Sequence, residues 1–226
     1  MTEQFVAELR RRATIYWEKH PFQQAMLAGE LAPDAIRAFV SNRWYYQASL
    51  PRKDAAIIAN CPVPAVRRRW LERIAYHDGA AEGEGGMADW LALCDAVGLD
   101  RADVLDPEKV LPGVRFAVDR YSAFAREASW VAGVASSLTE LFAPDLMGRR
   151  IEAFRTHYPW IDPAGLAYFE KRCVQAPREA GHALEVVLEY ARTAEQRAAC
   201  ADALTLKCEV LWAMLDALDH AYRGHR

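Results

Sequence analysis

A chain of 226 residues with 52% apolar composition can bury a sizeable core and is too hydrophobic to remain disordered. Its 28 basic and 31 acidic residues leave a net charge of −3, which excludes the basic excess of a general nucleic-acid or anionic-membrane surface. Charged Glu3, Glu8, Arg10, Arg11 and Arg12 stand where a secretory leader would be apolar, and no uncharged apolar run is long enough to span a bilayer. The cytoplasm is therefore the expected compartment, with neither nucleic acid nor membrane as partner.

Helical periodicity runs from end to end without a convincing alternating strand, which predicts an all-α fold. Pro33 opens a helix reaching about Asn60, with a kink near Pro51. Pro62 and Pro64 punctuate the next start, and a helix from Val66 ends near Asp78-Gly79. Residues Gly79 to Gly86 form a glycine-rich acidic loop, which lacks the G-K-[ST] and preceding strand of a phosphate loop. A helix over Met87–Val97 precedes a loop through Asp106-Pro107, and a long pattern from Pro112 to Phe142 breaks near Ser129 or Gly133. Further helices are expected over 145–156, 164–175, 178–192 and 195–222. Without linkers or repeats, these pieces read as one domain over 1–226, a bundle of about seven helices.

Cys61, Cys94, Cys173, Cys200 and Cys208 are odd in number, scattered and without C-x-x-C, so buried reduced thiols are expected rather than disulfides or a zinc site.

Several polar residues interrupt apolar helical stripes. Lys207 shares its side with Ala203, Leu204, Val210, Leu211 and Met214, so it must snorkel, lose its charge or meet an anion. Arg43, Tyr46 and Gln47 share a face with Phe39, Val40 and Leu50. Arg73 and His77 are one turn apart, as are Tyr168 and Arg172, and Arg150 accompanies Phe154. Each pair alone reads as a solvated face or core edge. Together they point to a pocket for a compact polyanion, because only a ligand makes so much buried charge tolerable. Arginine forks bind carboxylates in bidentate fashion, and tyrosine hydroxyls and Gln47 can fix carbonyl oxygens. His77 is the candidate proton-transfer group, its pKa lowered by Arg73. His20 and His157 read as structural caps, and His182 as a core histidine. Glu179-x-x-His182 has di-metal spacing, with Glu140 a further possible ligand, but the second copy of the motif is missing and no metal is expected.

Several stretches of the chain resemble the pyrroloquinoline quinone (PQQ) synthase family. They are Asn42-Arg43-Trp44-Tyr45-Tyr46-Gln47, Pro51-Arg52-Lys53-Asp54-Ala55-Ala56, His77-Asp78-Gly79, the run from Val110 to Asp119, the run from Ser136 to Pro144, and His157-Tyr158-Pro159-Trp160-Ile161. The matches run in order from Tyr16 to Met214. The resemblance implies a heme-oxygenase-like fold of seven helices without heme, in a homodimer. It implies oxidation and ring closure of a carboxylate-rich PQQ precursor, with dioxygen as co-substrate, peroxide as product and no metal or organic cofactor.

By position, the resemblance implies substrate contacts at Tyr16, Trp17, His20, Arg43, Tyr46, Gln47, Arg73, Tyr121, Thr139, Met147, Arg150 and Lys207. It makes His77 the acid–base group and places Tyr168 and Arg172 at the oxygen site, with helices that close over bound substrate. Three positions depart from the family's pattern, where Trp17, Gln23 and Met147 stand in place of histidines. Neither tryptophan nor methionine shuttles protons. Those departures leave two other readings open, a relative oxidising a different carboxylated ring and a non-catalytic PQQ or precursor binder.

Overall fold

Prolines and small polar caps set most helix starts. Pro21, Pro33, Pro64 and Pro112 each occupy a first-turn position, where the missing N–H costs nothing. Ser129 and Thr193 cap with their side chains, Thr193 in a capping box with Gln196. The computed structural model describes residues 2–12, 15–141 and 145–223, apart from the Glu140 side chain. Glu140 as a metal ligand, and Phe142-Ala143-Pro144 of the family-like stretch, thus lie outside the described residues.

Eleven α-helices occur among the described residues: α1 (Thr2–Arg12), α2 (Pro21–Leu27), α3 (Pro33–Asn60), α4 (Pro64–Asp78), α5 (Gly85–Ala96), α6 (Arg101–Leu105), α7 (Pro112–Glu127), α8 (Trp130–Ala135), α9 (Leu146–His157), α10 (Ala167–Tyr190) and α11 (Ala194–Tyr222). No strand is found among those residues. The all-α expectation holds, but the count of seven does not. The difference comes from short pieces: α1 and α2 precede the first predicted start, α6 lies in the predicted loop, and the Ser129 cap splits the pattern that begins at Pro112.

α3 spans Pro33–Asn60 as expected, whereas the expected break between 175 and 178 is absent. α3 runs through Pro51 and α10 runs through Pro177 as single elements. Each proline removes one i→i−4 bond, to the carbonyls of Gln47 and Cys173. Packing outweighs that loss: α3 lies against α4, α5 and α7, and α10 against α5, α8 and α9. The final helix, α11, packs on α7, α8, α1 and α2. Buried residues from Phe5 to Leu218 form one apolar cluster. Four cysteines are buried as expected, but Cys173 is exposed, because it follows inward-facing Arg172 on α10 and points to the opposite side.

The turn at Pro163–Leu166 rests directly on α5. A Cβ at Gly165 would lie 2.4 Å from the Ala96 methyl, which has no rotamer to escape into. Gly165→Ala is therefore expected to cost roughly 1–3 kcal/mol, read as a lower denaturant midpoint at unchanged slope.

Candidate active site

Four long helices bring their charged stripes together. α3 supplies Arg43, Tyr46, Leu50 and Lys53, α4 supplies Arg73 and His77, α10 supplies Tyr168 and Arg172, and α11 supplies Lys207. Tyr121 of α7, with Ser137 and Thr139 beside a 3-10 turn (Leu138–Leu141), completes the lining among the described residues. The cavity they surround is about 40 Å³, room for a few waters and well below the roughly 300–1,000 Å³ of small-molecule sites. Its walls must part to admit a ring system.

Five of the lining side chains are cations, each at most 7% exposed. Among the described residues, two buried carboxylates stand behind them. Asp54 accepts from Lys53 Nζ at 2.5 Å and from Trp70 Nε1 at 2.9 Å, and its second oxygen lies 3.5 Å from Arg73 Nε. Glu179 Oε2 receives Arg172 Nη1 at 3.0 Å and lies 2.9 Å from Arg73 Nη1. Burial pushes both carboxyls up, but the neighbouring cations, led by Lys53 for Asp54 and Arg73 for Glu179, outweigh it and hold both below their ordinary range. Glu179, considered above with His182 for a metal, is instead bonded to arginines. His182 lies against Trp70, with ring centroids 5.8 Å apart.

Lys207 does not snorkel. It is 2% exposed, donates a short hydrogen bond to Tyr46 Oη, and places Nζ 3.8 Å from the Tyr121 ring centroid and 4.1 Å from that of Tyr46. Lys53 Nζ reaches Ser137 Oγ at 3.2 Å, and Tyr121 Oη lies 3.0 Å from Ser136 Oγ.

His77 is 2% exposed, and its Nδ1 has no hydrogen-bond partner. Burial, and then the Arg172 guanidinium, push its pKa down to about 3, so the ring is neutral at physiological pH. Arg73 contributes less than the sequence reading assigned to it. A Cβ at Gly86 would meet Nδ1 and Tyr76 Cε1 at 3.2 Å each, so the backbone of α5 packs directly on the imidazole. Tyr76, which the sequence reading passed over, has a buried hydroxyl without a hydrogen-bond partner, and burial raises its pKa.

Of the fifteen residues singled out from sequence and resemblance, nine line the cavity: Arg43, Tyr46, Arg73, His77, Tyr121, Thr139, Tyr168, Arg172 and Lys207. Tyr16, Trp17, His20, Gln47, Met147 and Arg150 are buried but do not line it. His20 accepts from the Phe22 N–H at 3.0 Å as the α2 cap, and its Nε2 lies 3.0 Å from Asp216. Arg150 is wholly buried and bonded to the Gln23 carboxamide oxygen. Gln47 is wholly buried with neither amide atom hydrogen-bonded. Sequence reasoning left out Leu50, Lys53 and Ser137, which do line the cavity.

A solved structure from Shewanella denitrificans, described as a domain of unknown function with a heme oxygenase-like fold, superposes with a TM-score of 0.76 at 16% identity, over 98% of this chain and 91% of that one. A TenA homolog from Pseudomonas syringae pv. tomato gives 0.74, also at 16% identity, over 96% and 91%. The fold is therefore heme-oxygenase-like. Proteins named pyrroloquinoline-quinone synthase are much nearer in sequence. Those of Ectopseudomonas mendocina and Cronobacter sakazakii are 49% and 48% identical, over 99% and 97% of this chain and 89% and 88% of theirs. That of Acinetobacter baylyi is 47% identical over 97% of this chain and 86% of its own. With the TENA/THI-4/PQQC family profile matching residues 7–217 as well, the chain belongs to that family.

Proposed function

We propose that this protein is a pyrroloquinoline-quinone synthase, which oxidises and ring-closes the carboxylate-rich hexahydroquinoline precursor of PQQ with dioxygen and releases hydrogen peroxide. The observation that carries this reading is a cluster of five buried cations, which among the described residues face two buried carboxylates, around one neutral imidazole. Full-length relatives bearing that enzyme's name, at 49% identity, support it.

In this reading Arg43, Lys53, Arg73 and Lys207 pair with the substrate's carboxylates, and Tyr46, Tyr121 and Thr139 offer hydroxyls to its carbonyl oxygens. Neutral His77 takes a proton from the ring as electrons leave it. Each dioxygen accepts two electrons and two protons and departs as peroxide, with the Arg172 cation and the Tyr168 hydroxyl stabilising the developing charge. The electrons come from the enolic substrate, so no metal or organic cofactor is required. Because the cavity is small, substrate must part the helices and then be enclosed, and the loss of water strengthens each ionic contact. The active form is a cytoplasmic homodimer of one domain over 1–226, a state that sedimentation would check.

Anaerobic mixing with the precursor, followed by air, is expected to yield PQQ absorbance and peroxide together. Appearance of neither would overturn the reading. Trp17, Gln23 and Met147 favour a second one, a relative acting on another carboxylated ring, and a substrate screen in which a different acid turns over would establish it. Tight PQQ binding without oxygen uptake would instead mark a non-catalytic binder.

A further inference from the structure

Arg43 is held in an unusual way for a buried arginine. It is 6% exposed, yet its Nε and Nη1 have no hydrogen-bond partner. Aromatic rings surround it instead: its Cζ lies 4.4 Å from the Trp17 ring centroid and 5.2 Å from those of Tyr46 and Trp90. Trp90 is itself fixed by its Nε1 donating to the Val40 carbonyl at 3.0 Å.

The Trp17 ring has a second cation against it. The Cζ of Arg150 lies 4.5 Å from the same centroid, and the indole is 2% exposed with Nε1 unbonded. An aromatic ring is electron-rich on both faces, so one indole can serve two guanidinium groups that would otherwise repel. That repulsion is appreciable: Arg150 is pushed down to about 9 first by burial and then by the charge of Arg43. Of the two, only Arg43 lines the cavity, while Arg150 is bonded to the Gln23 carboxamide oxygen.

We propose that Trp17 is a positioning residue for Arg43: one indole shared by two buried arginines keeps the Arg43 fork facing the cavity for a substrate carboxylate, while Arg150 stays bonded to Gln23. The identity of the bound acid rests on the function proposed above; the positioning does not. A neutral imidazole in place of the indole offers a smaller ring to share between the two cations. Gln23 holds the Arg150 end of the Arg43–Trp17–Arg150 arrangement, and the Arg43 end lines the cavity.

The test combines two readouts on Trp17→Phe, which keeps an aromatic face, and Trp17→Leu, which does not. Trp17→Met replaces the leucine variant should that one not fold. In arginine-labelled protein without ligand, the Arg43 Nε–H resonance, assigned by its loss in Arg43→Lys, is expected to carry an upfield ring-current shift. The shift should be largely kept in Trp17→Phe and clearly reduced in Trp17→Leu, where only the Tyr46 and Trp90 rings remain. In calorimetric titration with PQQ as probe, Trp17→Leu should weaken binding about tenfold and Trp17→Phe by no more than about threefold. In an Arg43→Met background, Trp17→Leu should cost nothing further. An unmoved Arg43 resonance in Trp17→Leu, or an equal loss of affinity with and without Arg43, would overturn the proposal. Failure of the unaltered protein to bind PQQ would count against the proposed function, and the resonance would still decide the role of Trp17.

Discussion

His77→Asn should lower kcat by about 10²–10⁴-fold, the usual contribution of a positioned general base, with little change in PQQ affinity. Asparagine keeps a polar group of similar reach but cannot take a proton at neutral pH. The pH behaviour makes the prediction more specific. His77 has a pKa near 3 in the folded protein against an ordinary 6.5. Between those values the unfolded chain binds a proton that the folded one does not, so stability falls as pH drops from about 6.5 towards 3. The depressed carboxyls of Asp54 and Glu179 act in the same direction at lower pH. In His77→Asn the part of this slope above the carboxylate range should flatten, which denaturant titrations at several pH values would reveal. Substrate carboxylates beside the imidazole raise its pKa, so the acid limb of kcat should lie above that of kcat/KM. Coincident limbs, or an unchanged kcat in His77→Asn, would remove this histidine from proton transfer.

Removing Asp54 should be the most damaging change for the fold. Its carboxylate is fully buried, joins Lys53 to the Trp70 indole and lies beside Arg73. Breaking a buried pair from one side strands the remaining charge, at a cost of about 3–5 kcal/mol. Asp54→Ala should therefore lower the unfolding free energy by that amount, and Asp54→Asn, which still accepts from Trp70, by less. Lys53→Met with Asp54→Leu removes both charges together and should recover much of the loss in stability while weakening anion binding. A chain of ordinary stability in Asp54→Ala would mean that the ion cluster does not organise these helices.

The sequence disclosed the site wherever charge broke an apolar stripe. Lys207 stood among leucines and alanines, and Arg43 and Tyr46 interrupted the buried face of α3, so helical spacing alone marked them. It was silent about Lys53 and Asp54, because neighbouring opposite charges look like an ordinary solvated surface. Their burial depends on α4 and the 3-10 turn closing over them. Periodicity also cannot distinguish a cavity wall from the layer behind it. Tyr16, Trp17, Gln47 and Arg150 are buried, yet they do not line the cavity. The Glu179-x-x-His182 spacing, which already lacked the second copy of a di-metal motif, has other partners: the glutamate faces two arginines and the histidine lies against Trp70. In the fold, the short α2 and α6 gave too few turns for a periodic signal, and Pro177 suggested a break that the packing of α10 overrides.

Anion capture by buried cations is the central claim, and calorimetric titration of PQQ into the unaltered protein, Arg43→Met and Lys207→Met tests it most directly. The unaltered protein should bind with a stoichiometry of one per chain, and each charge removal should weaken binding by about 2–5 kcal/mol, as expected when one partner of a desolvated ionic contact is lost. Equal affinities across the three proteins, or no binding to any, would contradict it.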